Sequence, residues 1–191
     1  MIDARRAFCE KLARIPPHRL VFLDESGSHI AMTRDHGRAP PGVRVIGRVP
    51  RNRGTVTTML GAMAMRGLTA LMTVRGGTSR DVFLEFLREH LLPTLRRGDV
   101  VVMDNLGAHH ATGVRELVER AGAEIVYMPA YSPDLNPIEL CWSKLKNLLK
   151  MFGARTNATL ASRIQVAADF ITRTDCRNWF KHCGYAAPQA M

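Results

Sequence analysis

Short apolar runs separated by polar turns and amphipathic segments follow one another along most of the chain. Residues 19–24, RLVFLD, form a continuous apolar run that is typical of a strand buried on both faces. The β-prone runs 55–65 and 68–74 are joined by Arg66 and Gly67, which predicts a hairpin with positive φ at the glycine. Residues 100–104 and 124–128 predict two further short strands.

Helical patterns alternate with these strands. Residues 79–95 carry apolar side chains at helical spacing behind Ser79, a predicted N-cap. Further helices are predicted over 4–13, 112–121 and 138–152, and two more within 156–185. Residues 33–54, rich in Arg, Pro and Gly, predict a basic loop. A hairpin followed by alternating helices and strands indicates a mixed α/β sheet.

Composition and charge narrow the class of protein. The 191 residues, 46% hydrophobic and 23% charged, suit one folded domain with a small extension. The net charge of +10 favours a polyanionic partner, either nucleic acid or an anionic membrane surface. We find no signal peptide and no apolar run long enough to cross a membrane. The cysteines form no CxxC pair, so we expect reduced thiols in a cytosolic protein: Cys9, Cys141, Cys176 and Cys183.

Two carboxylates end apolar strands. Asp24 and Asp104 both follow such a run, where burying a charge is costly unless a cation or hydrogen bonds compensate it. If the strands are neighbours, both side chains reach one crevice, where they share a proton or hold a divalent metal ion. Taken singly, each could equally be a turn or capping residue. Glu25 and Asp134 are expected either to support the site from behind the first ligands or to be structural.

Glu139 has two interpretations. In the block that precedes the helix, Asn136 can be the N-cap, Pro137 the first helical residue and Glu139 the partner of a capping box. The local pattern alone favours this capping role. A third carboxylate beside Asp24 and Asp104 would instead make a pair of Mg²⁺ ions the natural occupant.

Three blocks resemble a known family. LDES at 23–26, MDNLGAHH at 103–110 and YSPDLNPIELCWSKLK at 131–146 are similar to the signature blocks of mariner-like DDE transposases, in particular their bacterial insertion-sequence branch. The family's acidic triad falls on Asp24, Asp104 and Glu139, with 34 residues between the last two. The resemblance implies a ribonuclease H-like fold, a mixed five-stranded sheet flanked by helices with a C-terminal helical tail.

The resemblance also implies an activity. The triad would be both catalytic and metal-binding, holding two Mg²⁺ or Mn²⁺ ions, one activating water or a DNA 3′-hydroxyl and the other stabilising the leaving oxygen. The reaction would cleave DNA at transposon ends and transfer the freed strand to target DNA, usually at a TA dinucleotide.

Four residues near the triad are expected to support it. Asn105 would orient a carboxylate or phosphate, or form an Asx turn. His109 would contact the scissile phosphate or a metal-bound water, or remain a solvated loop histidine. Asn136 and Pro137 would position Glu139.

Four arginines in the basic loop could neutralise DNA phosphates, although an ordinary solvated loop is the alternative. They are Arg44, Arg48, Arg51 and Arg53.

The expected domain organisation is a linker helix at 1–18, a DDE catalytic domain at 19–152 and a C-terminal helical extension at 153–191. Full-length relatives carry helix-turn-helix modules, for which residues 1–18 leave no room, so we expect the downstream half of a split transposase or a truncated remnant. The expected partners are double-stranded DNA, a second copy of the chain and a separate helix-turn-helix polypeptide, with no membrane, in the bacterial cytoplasm near the nucleoid. The alternatives are a ribonuclease H-like nuclease and a non-cleaving, inhibitory DNA-binding fragment.

Overall fold

The computed structural model describes residues 2–104 and 113–185. Five strands form one sheet in the order β3-β2-β1-β4-β5. The strands are β1 Leu20–Ser28, β2 Thr57–Ala64, β3 Gly67–Arg75, β4 Val100–Met103 and β5 Glu124–Tyr127. The helices are α1 Ile2–Ala13, α2 Arg80–Glu85, α3 Val114–Arg120, α4 Pro137–Phe152, α5 Asn157–Ala168 and α6 Arg173–His182.

The sheet is mixed, as expected. β1 pairs antiparallel with β2 and parallel with β4, while β3 extends the antiparallel side and β5 the parallel side. The β2–β3 hairpin needs only a short turn, and Gly67 adopts a φ of 137° there, as its position predicts. Each parallel pair needs a crossover, which the intervening helical segments supply.

Strand β1 is longer than predicted. It does not end at Asp24 but continues to Ser28, because β2 runs alongside it through the pairs Asp24↔Gly61 and Ser28↔Thr57. The predicted position of Asp24 at a strand end is therefore wrong. The aspartate lies where β1 outruns its shorter parallel neighbour β4, which ends at Met103.

Successive side chains of β1 point to opposite faces of the sheet and so contribute to both hydrophobic cores. Phe22 packs with side chains of α4, α5 and α6 on one face, and Val21 and Leu23 belong to the core on the α2 and α3 face. Phe8 and Leu12 of α1 are buried in the first core. The terminal helices thus share a core with the sheet.

The helix predicted over residues 79–95 changes its winding. Ser79 caps α2 by accepting a hydrogen bond from the Val82 amide. The chain then widens to a π-helix over Phe86–Leu91 and tightens to a 3₁₀ turn over Leu92–Thr94. Pro93 accounts for the break, because it lacks an amide hydrogen and its ring crowds the carbonyl four residues earlier.

The loop after β1 and the two C-terminal helices agree with the predictions. Residues 29–56 form no helix or strand, and two helices, α5 and α6, close the described chain. The four cysteines are unpaired thiols. In the described ranges, no helix combines the length and apolarity needed to cross a bilayer.

Candidate active site

Asp24 lies within β1, and Asp104 directly follows the end of the neighbouring parallel strand β4. The parallel register pairs Phe22 of β1 with Val102 of β4, and each aspartate lies two residues further along the chain. Because side chains alternate, both aspartates point to the same face as Phe22 and Val102, the face covered by α4. The predicted juxtaposition of Asp24 and Asp104 is therefore present in the structure.

Helix α4 brings the third carboxylate to the same place. Glu139 is an exposed side chain in the first turn of α4. Together with Asp24 and Asp104 it lines a cavity of about 300 Å³, whose lining also includes residues 128–133 and Asn136. Lys144 anchors α4 to α6 through a 2.6 Å ion pair with Asp175.

The pKa of Asp24 is strongly raised. Burial, the nearby charge of Glu139 and, more weakly, that of Asp104 raise the pKa of Asp24 from 3.8 to about 7. A bond from the Glu25 amide to Asp24 Oδ1, 2.8 Å long, opposes the rise. The cavity thus concentrates negative charge that a cation would neutralise.

Asn136 does not form the capping box that its position predicts. It occupies the N-cap position of α4, but its side chain makes no capping bond. Instead, Asn136 Nδ2 donates a 3.2 Å hydrogen bond to Asp24 Oδ2, while the buried Oδ1 has no partner among the described residues. Pro137 is the first helical residue, as predicted. The amide therefore orients Asp24 rather than the helix end.

Trp142 covers Asp24 from the helix side. A Cβ added at Gly61, which pairs with Asp24 across the sheet, would lie 2.5 Å from Cη2 of the indole. Only glycine allows the ring to approach the strand so closely. The indole Nε1 is buried, and the described structure gives it no hydrogen-bond partner at normal bonding geometry. Its N–H still lies near enough to Asp24 to favour the charged carboxylate, which slightly opposes the rise of the pKa of Asp24.

The donor set suits a divalent cation. Three carboxylates that line one cavity offer the oxygen ligands that Mg²⁺ and Mn²⁺ prefer. Within residues 2–104 and 113–185, no three His, Cys, Asp or Glu side chains converge tightly enough to form a preformed metal site. The chemistry of the residues fits the metal, and the three side chains share the cavity wall.

The other predicted residues lie elsewhere. The four arginines of the basic loop are exposed on the segment between β1 and β2: Arg44, Arg48, Arg51 and Arg53. Asn105 and His109 lie outside the described residues.

Glu25 and Asp134 both have structural partners. Glu25 Oε2 accepts a 2.7 Å bond from Thr78 on the face of β1 opposite to Asp24, and Asp134 pairs with Arg5 of α1. These contacts agree with the structural alternative that was predicted for both acids.

Sequence reasoning missed two features of the cavity. Tyr131 lines it with a ring that is 90% exposed and a backbone φ of 56°. The second is the contact of Trp142 with Gly61, opposite Asp24. An aromatic residue inside a turn-rich polar segment was the available signal for the tyrosine, whereas the indole contact depends on a long-range approach.

Comparisons with known proteins identify the family of this chain. The family model described as DDE superfamily endonuclease matches residues 19–160. The Tc1 transposase of Caenorhabditis elegans is 35% identical over 69 residues, which are 36% of this chain and 25% of that transposase.

Solved structures of Mos1 transposase share the fold. The mariner paired-end complex with Mn aligns with a TM-score of 0.69 and 19% identity, over 95% of this chain and 58% of that chain. The Mos1 catalytic domain with Raltegravir and Mg aligns with a TM-score of 0.67 and 16% identity, over 95% and 89%. The expected ribonuclease H-like fold is confirmed.

Proposed function

Because this chain belongs to the DDE superfamily of endonucleases, we propose that it is the catalytic domain of a transposase that cleaves DNA at transposon ends and transfers the strand to target DNA. One observation carries the proposal: Asp24 on β1, Asp104 directly after the parallel strand β4 and Glu139 on α4 line a single cavity. The similarity to Tc1 and Mos1 transposases supports this reading of the site.

The three carboxylates are the proposed catalytic residues and the ligands of two divalent ions, Mg²⁺ or Mn²⁺. Divalent ions at such a site supply charge neutralisation and polarisation of a phosphodiester. The Mos1 structures that contain Mg and Mn support this choice of metal. Asn136 would hold Asp24 in place through its amide. Pro137 would fix where α4 begins and therefore where Glu139 lies relative to the two aspartates.

The proposed substrate is double-stranded DNA, both transposon ends and target. The net charge of +10 supports it, and the exposed arginines of the basic loop would contact phosphates. The Mos1 paired-end and strand-transfer complexes support assembly on DNA, which we propose as a homodimer with a separate helix-turn-helix polypeptide. The three sequence blocks support the bacterial insertion-sequence branch, and with it a location near the nucleoid.

We also propose a division of tasks along the chain. Residues 19–152 would carry catalysis, residues 1–18 would link the domain to other modules, and residues 153–191 would buttress α4. Asn105 and His109 stay proposed supporting residues on the strength of the sequence blocks alone.

Nicking of supercoiled plasmid in Mn²⁺ at low salt tests the proposal. We expect wild type to nick, and Asp104→Asn and Glu139→Gln to lose at least two orders of magnitude of activity. Glu25→Gln is the matched control, because it neutralises a carboxylate adjacent to Asp24 on the other face of β1 and keeps an oxygen for Thr78.

The outcomes separate the competing functions. Nicking that survives both triad substitutions would exclude the carboxylate cavity as the active site. DNA binding without any nicking by wild type would favour the non-cleaving inhibitory fragment. Cleavage of RNA–DNA hybrids in preference to DNA duplexes would favour a ribonuclease H-like nuclease.

A further inference from the structure

The cavity wall contains a strained aromatic residue. Within residues 2–104 and 113–185, Tyr131 is the single non-glycine residue with positive φ, at 56°. A left-handed conformation is unfavourable for a residue with a Cβ, and such outliers persist only where the surroundings impose them. An observed outlier of this kind points to a function for the side chain.

The strain does not serve packing inside the protein. The Tyr131 side chain is 90% exposed, although the residue lines the same cavity as Asp24, Asp104 and Glu139. An isolated exposed aromatic residue is ordinary on a protein surface. A strained one at the mouth of a carboxylate cavity is not, because folding alone gives no reason to keep it.

The turn around the ring is held rigidly from both sides. Arg5 Nη1 donates a 2.8 Å bond to the buried Ser132 hydroxyl, and the same guanidinium pairs with Asp134. The Tyr185 hydroxyl donates a 2.7 Å bond to the Leu135 carbonyl. The neighbours of the tyrosine are thus fixed by α1 and by the end of the described chain, while its ring is presented to solvent. This is the arrangement of a preorganised contact.

We propose that Tyr131 is a stacking platform for an unpaired nucleobase next to the phosphodiester held at the carboxylate cavity. The proposal rests on the function proposed above, since that function supplies the DNA. A phosphate held at the carboxylates by a divalent cation would place the adjoining nucleotides within a few ångströms of the cavity rim, because successive nucleotides of a strand rise by about 3.4 Å. A flat exposed ring accepts any base on its π face, so the contact would be tolerant of sequence.

The base must be unpaired for geometric reasons. A base inside a duplex is covered on both faces by its stacked neighbours, and an aromatic side chain reaches it only after it leaves the stack. Tyr131 would therefore favour frayed, mismatched or overhanging DNA at the site of strand cleavage over a fully paired duplex.

The test uses short duplexes with 2-aminopurine in a single-stranded 3′ overhang, compared with blunt duplexes of the same length. Binding is measured with Ca²⁺ in place of Mn²⁺, so that a cation with oxygen ligands holds the phosphate at the carboxylates while cleavage is suppressed. We expect wild type and Tyr131→Phe to quench the 2-aminopurine and to prefer the overhang. Tyr131→Leu should bind the overhang about 5- to 150-fold more weakly and lose the quenching, while its affinity for the blunt duplex is unchanged.

Phe170→Leu is the matched control, because it removes an exposed aromatic ring, 52% accessible, that does not line the cavity. Wild-type quenching and overhang preference in Tyr131→Leu would overturn the proposal. Equal weakening of both duplexes would overturn it too, since it would indicate a phosphate contact or a disturbed fold. Loss of self-association by Tyr131→Leu in sedimentation without DNA, at unchanged DNA affinity, would assign the ring to a protein contact instead.

Failure of the proposed function is separately visible. If wild type quenches the fluorescence of 2-aminopurine in the overhang but does not nick plasmid in Mn²⁺, the stacking site is supported and the transposase activity is not. If wild type nicks and the overhang preference is independent of the tyrosine, the activity stands and the stacking site does not.

Discussion

Replacement of Asp24 by asparagine is expected to stabilise the metal-free fold at alkaline pH while it abolishes nicking. Burial and two neighbouring carboxylates raise the pKa of Asp24 from 3.8 to about 7. An acid with a higher pKa in the folded state binds its proton more tightly when folded. Its contribution to the free energy of unfolding therefore falls as the pH rises from about 4 to about 7. Above that range the wild type carries the whole penalty, and the asparagine carries none.

The magnitude follows from the shift and from the bonds around the side chain. A shift of about three pKa units corresponds to about 4 kcal/mol. Asparagine offers one oxygen where the carboxylate accepts bonds from the Glu25 amide and from Asn136, which costs about 1 kcal/mol. Asn136 limits this loss, because a flip of its amide lets the unpartnered Oδ1 accept from the new amide group. We expect Asp24→Asn to be more stable by about 2–3 kcal/mol at pH 8 and by less than about 1 kcal/mol at pH 5.

Urea unfolding in EDTA at pH 5 and pH 8, followed by circular dichroism, measures both differences. Glu25→Gln on the opposite face of β1 should show no comparable gain at pH 8. Added Mg²⁺ should narrow the gap, because a cation that binds the charged carboxylate stabilises only the wild type. A variant no more stable than wild type at pH 8, or a gain of equal size at both pH values, would refute the reasoning.

Three further substitutions test the cavity and the basic loop. Gly61→Ala should lower the free energy of unfolding by about 1–3 kcal/mol and reduce nicking, since the new Cβ meets the indole at 2.5 Å. The control is Gly27→Ala, whose Cβ meets one valine methyl at 3.1 Å and whose free energy of unfolding should stay within about 0.5 kcal/mol of the wild-type value. Equal losses in both variants would contradict this account. Tyr131→Gly should raise the free energy of unfolding by about 1 kcal/mol, measured as a higher urea midpoint, because glycine relieves the strain of the left-handed conformation. A lower free energy of unfolding would show that the ring supports the fold. Arg48→Ala combined with Arg51→Ala should reduce the slope of log binding constant against log salt by about 2, and an unchanged slope would leave these arginines as solvated loop residues.

The site combines two features that oppose stability. Like charges crowd Asp24, and Tyr131 adopts a backbone conformation that a glycine would hold more easily. Both costs are modest against the two apolar cores that flank the sheet. Such local violations are expected where a structure serves binding or catalysis rather than folding alone.

Local chemistry explains which predictions succeeded. Apolar runs and helical spacing identified all five strands and most helix positions, because burial patterns repeat with the period of each element. Pairing of β1 with β4 brought Asp24 and Asp104 together as expected. The end of β1 was misjudged, since a strand continues as far as its partner does, and β2 is distant in sequence. The change in helix type within residues 80–94 depends on Pro93 together with packing. Hydrophobic periodicity over the whole segment does not reveal such a local change.

The amino-acid sequence by itself determined the mixed α/β class and the positive net charge, and its resemblance to a known family singled out the three carboxylates, because periodicity, charge and short motifs are properties of neighbouring residues. Only the tertiary structure decided how those carboxylates are surrounded. Asn136 reaches Asp24 instead of capping α4, and Trp142 comes close to β2 because Gly61 has no side chain. These contacts join residues far apart in the chain. Their geometry is decided by how α4 packs on the sheet, which no local pattern contains.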